Sequence, residues 1–156
     1  MPPNKDISAT LQEGVGVKDI AIGSSSRSDV IKSFGDDFRA THLKEYSVEL
    51  AYEELGLSFY YLQDDPKELI FSIVAKPPFA GKTSKGIGVG NSTMEDVVAA
   101  YGKPNYWDAA LEGKYTITYN GVWFRIDRDT SLPRYPVDEG VHLPRKIIAI
   151  SIREPW

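Results

Sequence analysis

The sequence predicts an α+β fold made of two tandem copies of one unit, each combining a short helix with an antiparallel meander. The segment IAIGSSSRSDVIKSFG at 20–35 aligns without a gap onto IGVGNSTMEDVVAAYG at 87–102. After this segment, the spacing of apolar residues in both copies changes from a helical period of about 3.6 to a strand period of about 2. We therefore expect one sheet with both helices on one face and its other face open.

The same residue types mark the helix boundaries in both copies. A Ser or Thr side chain can accept a hydrogen bond from the backbone N–H three residues later, and an Asp at that later position can accept one in return. A glycine then suits the positive φ that commonly ends a helix. The predicted capping and terminating residues are Ser26, Asp29 and Gly35 in the first copy and Thr93, Asp96 and Gly102 in the second.

Alternation of apolar and polar residues predicts three strands after each helix. The predicted strands are 46–52, 57–62 and 68–75 in the first copy and 114–119, 122–127 and 145–152 in the second. The dipeptide Asn120-Gly121 lies between two of these runs, and Asn-Gly is a strong signal for a two-residue hairpin turn.

The duplication also predicts the domain organisation. We expect an N-terminal extension at 1–16, a first copy at 17–80, a linker at 81–86 and a second copy at 87–156, with both copies in one compact unit. The linker opens the stretch GKTSKGIGVGNS at 81–92, which lacks the first glycine of a phosphate-binding loop and the third glycine of a dinucleotide-binding fingerprint. This glycine-rich stretch therefore indicates a boundary between copies.

Composition excludes several classes of function. The chain has 156 residues, a net charge of −4 and no cysteine. Scattered Lys and Arg in an acidic chain argue against a nucleic-acid partner, and the missing cysteines exclude disulfides and thiolate chemistry. No apolar run approaches the roughly 20 residues of a membrane-spanning helix. The first residues lack the apolar core of an export signal, so we expect a cytoplasmic protein or one whose signal has been removed.

Histidine and serine offer no catalytic arrangement. His42 and His142 lie in polar loop segments without a partner at catalytic or metal-binding spacing, so both are predicted to be solvated loop residues. The run Ser24-Ser25-Ser26 is better explained by the start of a helix than by a nucleophile. We expect no catalytic residues and a protein that is not an enzyme.

The segment Asp127-x-Asp129-x-Ser131 has the first spacings of a calcium-binding loop. Leu132 occupies the position where such a loop needs glycine. We therefore predict no metal and no cofactor, and leave calcium binding by this insertion open.

Aromatic residues indicate a binding surface. Strand alternation places Tyr60 and Trp123 on the side away from the expected core, together with Arg125. Tyr106 and Trp107, which follow the second helix, are assigned to the same open face. Trp, Tyr and Arg are enriched at binding hot spots, although surface aromatics also stabilise sheets through cross-strand pairs.

The duplicated pattern I-x-[IV]-G-x-S-[ST]-x-x-DV-x-x-[FY]G, followed by a short-stranded meander, resembles the superfamily of β-lactamase-inhibitor-protein-like domains. That superfamily also includes the small lipoprotein of the outer-membrane assembly machine. The resemblance implies a binding or assembly module without catalysis, often exported, in which a concave sheet face holds a partner protein. It favours a location outside the cytoplasm.

Two functional hypotheses follow. The first is a non-enzymatic, protein-binding module of the inhibitor, immunity or assembly type that uses the open sheet face. The second is a small-ligand binder or enzyme with a site under the insertion at 127–145. The residues of that second site would be Asp127, Asp129, Arg134, Tyr135 and His142.

Overall fold

The computed structural model describes residues 9–44 and 46–156. The strands in this part of the chain are β1 (Leu11–Gln12), β2 (Gly16–Val17), β3 (Ile20–Ala21), β4 (Arg39–His42), β5 (Ser47–Tyr52), β6 (Leu57–Leu62), β7 (Ile70–Ala75), β8 (Trp107–Asp108), β9 (Lys114–Tyr119), β10 (Val122–Asp127) and β11 (Ala149–Ile152). The helices are α1 (Arg27–Phe34), α2 (Met94–Tyr101) and α3 (Glu139–His142). Among the described residues, no helix has the length and apolar character needed to cross a membrane.

These strands form two antiparallel sheets. The smaller sheet has the order β1-β2-β3, and the larger one has the order β4-β5-β6-β7-β11-β10-β9-β8. At the centre of the larger sheet, β7 pairs with β11, with Ala75 opposite Ile150 and Ile73 opposite Ile152. Strands from the two halves of the chain therefore belong to one continuous hydrogen-bonded sheet.

The predicted α+β fold with two helix-plus-meander copies is wrong. Strands account for 35% of the described residues and helices for only 14%, so the fold is mostly β. The two helices have clear capping signals in the sequence, but each is only 8 residues long. The signals therefore suggested a larger helical content than the fold has. It also missed the short strands β1, β2, β4 and β8, whose two to four residues are too few to show a period.

Both eight-residue helices begin at a complete capping box. The Ser26 hydroxyl accepts a hydrogen bond from the Asp29 N–H, and the Asp29 carboxylate accepts one from the Ser26 N–H at 2.8 Å. Thr93 and Asp96 make the same two bonds, at 3.2 and 2.9 Å. Each helix ends at a glycine with positive φ, which is 88° at Gly35 and 93° at Gly102.

One face of the larger sheet packs against α1 and α2 and forms the core. The ring of Phe34 on α1 lies 5.1 Å from Phe59 on β6, and the ring of Tyr101 on α2 lies 5.2 Å from Phe124 on β10, measured between centroids. Phe34, Phe59 and Phe124 are fully buried. Because burying such a side chain contributes about 1.5–3 kcal/mol, this layer stabilises the sheet and leaves its opposite side, hereafter the second face, available for other contacts.

Candidate functional site

The second face carries a shallow groove over its centre. The groove has a volume of roughly 270 Å³. It is lined by Leu43, Ser47, Tyr60, Phe71, Ser72, Val74, Lys76, Arg125, Ser151 and Arg153. Three of these ten residues are cationic, and none of the described lining residues is an Asp or Glu. In a chain with a net charge of −4, this is a local concentration of positive charge.

Strand register brings the lining residues together from both halves of the chain. Ser58 pairs with Val74, Val74 with Ser151, and Ser151 with Trp123, which forms a row across four strands. Residues that pair directly in an antiparallel sheet point to the same side. The centre of the groove is therefore located where β7 and β11 meet.

A β-bulge widens the groove at β6 and β7. The register shifts between Tyr60, which pairs with Ser72, and Tyr61, which pairs with Ile70. Phe71 is the extra residue on β7, and such an insertion re-aims the neighbouring side chains. As a result, both Phe71 and Ser72 line the groove, and the Phe71 ring lies 6.5 Å from the Tyr60 ring between centroids.

Two arginines lie on either side of the Ser151–Trp123 pair. Arg125 follows Trp123 by two residues on β10, and Arg153 follows Ser151 by two residues in the paired, antiparallel segment. Because the two segments run in opposite directions, the arginines lie diagonally on opposite sides of this pair. The Arg153 guanidinium carbon lies 4.2 Å from the centroid of the Trp123 ring. Burial lowers the pKa of Arg153, the Tyr60 hydroxyl raises it, and the positive charge of Arg125 lowers it further.

Several buried polar atoms in the groove lack a hydrogen-bond partner among the described residues. These atoms are the Ser72 hydroxyl and the Nε atoms of Arg125 and Arg153. Ser72 is only 2% exposed. Leaving a buried donor unpaired costs roughly 1–3 kcal/mol, so a ligand that supplies acceptors here would recover free energy.

Tyr60 borders the groove with a hydroxyl that donates to the Glu49 carboxylate at 2.7 Å. Burial raises the pKa of Tyr60, and the hydrogen bond to Glu49 and its negative charge raise it further. Tyr60 therefore stays protonated at neutral pH. Glu49 lies beyond the lining residues and marks the acidic border of an otherwise cationic surface.

The structure separates the five sequence-predicted binding residues. Tyr60 and Arg125 line the groove, and Trp123 lies beneath Arg153 beside it. Tyr106 is 61% exposed but lies at the β8 edge, where its ring stacks on Tyr135 at 5.9 Å. The placement of Trp107 on the open face is wrong.

Trp107 belongs to the core. It is 4% exposed and packs edge-on against Tyr115, with 5.6 Å between ring centroids. The sequence suggested otherwise because β8 has only two residues, and two residues cannot show which side of a strand is buried.

His142 is not a solvated loop residue, contrary to the sequence-based expectation. It is 1% exposed and packs edge-on against Tyr115. Its Nε2 accepts a hydrogen bond from the Asp129 N–H at 3.0 Å, and its Nδ1 lies 2.7 Å from the Asp138 carbonyl oxygen. Because the Asp129 N–H can only donate, Nε2 is an acceptor and Nδ1–H is the donor to the Asp138 carbonyl, so both ring nitrogens hold the insertion in place. His42, by contrast, is exposed at the end of β4.

Other polar residues of the insertion are also held by hydrogen bonds, within the insertion for Asp129 and to the segment after β8 for Tyr135. The Asp129 carboxylate accepts hydrogen bonds from the Ser131 hydroxyl at 2.6 Å and the Ser131 N–H at 3.0 Å, and the hydroxyl bond is the main cause that lowers the pKa of Asp129. Tyr135 accepts a hydrogen bond from the Ala109 N–H. Within residues 9–44 and 46–156, no group of three or more His, Cys, Asp or Glu side chains has an arrangement suited to a metal ion.

Sequence reasoning missed most of the groove. Ser151 and Arg153 are two residues apart in the last strand-like run, so alternation places them on the same side. Only the pairing of β10 with β11 was needed in addition to locate them next to Trp123. Placing Lys76 and Ser72 in the groove required knowledge of the pairing of β7 with β11, which joins residues about 77 positions apart in the chain. The bulge at Phe71 had no signal in the sequence.

Comparisons with known proteins place the chain in no family. No family model and no curated protein matches it. A solved structure similar to it is that of a cysteine-rich secretory protein from Staphylococcus aureus subsp. aureus Mu50, with a TM-score of 0.47 and 9% sequence identity. The match covers 93% of this chain and 50% of that one, so the chain spans about half the length of this neighbour.

Proposed function

We propose that the chain is a non-enzymatic binding module that binds another protein at the second face of its eight-stranded sheet. The observation that carries the proposal is the groove, which is lined by Tyr60, Phe71, Arg125 and Arg153. Trp123 lies beside it, beneath Arg153. Tyr, Trp and Arg are the side chains that most often dominate binding energy, because they bury large areas at a low entropic cost.

Charge complementarity defines the kind of partner. Lys76, Arg125 and Arg153 make no ion pair with any other described residue, and they lie on a surface without a described acidic lining residue. The occupant is therefore a segment of another protein that carries acidic side chains. Complementary charges of this kind chiefly raise the association rate and select the partner.

The test begins with site-specific photo-cross-linking in cells. A benzoylphenylalanine is placed at Thr118, which pairs with Trp123 on the second face, and separately at Glu95, which is exposed on α2. The protein that cross-links from position 118 is identified, purified and titrated against the wild-type chain by calorimetry. The cross-link alone does not count as support.

Support requires that Trp123→Ala combined with Tyr60→Ala weakens the purified complex at least tenfold, or by about 1.4 kcal/mol. Leu111→Ala serves as the control, since Leu111 is 47% exposed and lies outside the groove. The proposal is wrong if the double variant, shown by circular dichroism to be folded, binds with the wild-type affinity. It is also wrong if cross-links form only from position 95.

A further inference from the structure

The backbone positions of Arg125 and Arg153 point to a single anion between them. They flank the Ser151–Trp123 pair from opposite directions along two adjacent antiparallel strands. Ser72 precedes Ile73, which pairs with Ile152, so Ser72 lies beside Arg153 across the strands. Two guanidinium groups and two hydroxyls thus surround the middle of the groove.

The donors at this position are oriented but unsatisfied. The Nε atoms of Arg125 and Arg153 and the Ser72 hydroxyl are buried without a partner among the described residues. The guanidinium group of Arg153 stacks on the indole ring of Trp123, and this contact limits the orientations that the planar guanidinium can adopt. Planar, bidentate donors of this kind match the two oxygens of a carboxylate.

Resting on the proposed function, we propose that Arg125, Arg153, Ser72 and Ser151 form a carboxylate-binding subsite that receives one Asp or Glu side chain of the partner segment. The carboxylate accepts hydrogen bonds from both guanidinium groups and from the two hydroxyls. Lys76 at the exposed rim contributes charge without a fixed contact. No covalent step takes place.

The subsite can be tested without the partner. Chemical shifts of the arginine Nε–H groups and of the Trp123 indole N–H are followed by NMR during titration of the ¹⁵N-labelled full chain. The probes are the blocked peptide acetyl-Gly-Asp-Gly-amide, its Asn counterpart and inorganic phosphate, each taken to about 10 mM, because one isolated ion pair is expected to bind in the millimolar range. The variants are Arg153→Gln, Arg125→Gln and the control Arg134→Gln, which removes the same charge from an exposed position in the insertion.

The expected result is a saturable shift of the Arg125 and Arg153 signals with the Asp peptide and no saturation with the Asn peptide. Each groove variant should abolish saturation, whereas Arg134→Gln should leave it within about twofold of wild type. Three results would overturn the proposal. They are the absence of saturation, equal shifts of arginines across the surface, and phosphate binding at the same atoms at least tenfold more tightly than the Asp peptide.

Failure of this inference and failure of the proposed function have different signatures. If the Asp peptide does not bind but Trp123→Ala with Tyr60→Ala still weakens the purified complex, the second face remains the partner site and only the carboxylate subsite is wrong. If the Asp peptide binds at Arg125 and Arg153 while the double variant keeps full affinity for the partner, the subsite exists and the assignment of the partner to this face is wrong.

Discussion

Arg153 lies directly over the ring of Trp123, with its guanidinium carbon 4.2 Å from the ring centroid. Trp123 pairs with Ser151 across β10 and β11, and Arg153 follows Ser151 by two residues on the same side. The aromatic ring therefore positions the cation over the second face, where it faces the groove. A cation stacked on an indole ring at a partly exposed site contributes about 0.5–1 kcal/mol.

This contact can be measured as a coupling free energy. Arg153→Ala, Trp123→Ala and the double variant, analysed by urea unfolding, should give a coupling of about 0.5–1 kcal/mol. The control cycle combines Trp123→Ala with Arg134→Ala, because Arg134 lies in the insertion away from this ring, and its coupling should be within error of zero. A zero value for the Arg153 cycle would mean that the stacked arrangement does not contribute in solution.

Both capping boxes should contribute to stability. Ser26→Ala and Thr93→Ala each remove the acceptor of the first-turn N–H, so each should lower the free energy of unfolding by about 1 kcal/mol. Because the two helices are far apart in sequence and cap separately, the double variant should lose about 2 kcal/mol. The control is Ser28→Ala, an exposed position in the first turn of α1, which should change stability by less than about 0.5 kcal/mol. Denaturation curves with unchanged midpoints for both cap variants would contradict this account.

His142→Ala should destabilise the protein strongly. It creates a cavity against Tyr115 and leaves the Asp129 N–H without its acceptor, so we expect a loss of about 2–4 kcal/mol in the free energy of unfolding. His42→Ala provides the matched control at an exposed position, with an expected change below about 0.5 kcal/mol. If both variants were equally stable, the buried role of His142 would be wrong.

Glu13 connects the N-terminal segment to α2 and to the region before it. Its carboxylate accepts hydrogen bonds from the Ser84 hydroxyl at 2.7 Å and the Tyr101 hydroxyl at 2.8 Å. Burial by itself would raise the pKa of Glu13, but bonds from Ser84, its own backbone and Tyr101 together lower it below the ordinary value of 4.5. The folded state therefore favours the carboxylate form.

A lowered pKa has a defined consequence for pH dependence. The stabilisation from Glu13 is fully present above its unfolded pKa, near 4.5, and is lost as the pH falls through the lower pKa of the folded state. Glu13→Gln should thus lower the free energy of unfolding at pH 7 by about 1 kcal/mol, and by less at pH 3. Urea titrations at both pH values measure this, with exposed Glu112→Gln as the control. An equal loss at both pH values would indicate a role independent of charge.

Local elements were largely predictable from the sequence. Alternation located the five six-residue strands and β11, and the Asn120-Gly121 turn is confirmed by the pairing of Tyr119 with Val122 on either side of it. These features depend on residues within a few positions of one another, and side-chain period and turn chemistry act at that range.

The groove was only partly predictable. Tyr60, Trp123 and Arg125 were assigned to the correct side of their strands, because alternation decides the side once the core face is known. Trp107 and His142 were misplaced, since a two-residue strand and a four-residue helix carry too little pattern to show what is buried.

The sequence by itself determined where the longer strands lie, which residues cap α1 and α2, and the absence of cysteine chemistry. Tertiary structure alone decided the mostly β fold, the central pairing of β7 with β11, and the meeting of Ser72 with Arg153 that results from it. The physical reason is the range of the interactions. Capping and alternation are properties of neighbouring residues, whereas the pairing of distant strands depends on the total apolar area that the whole chain can bury.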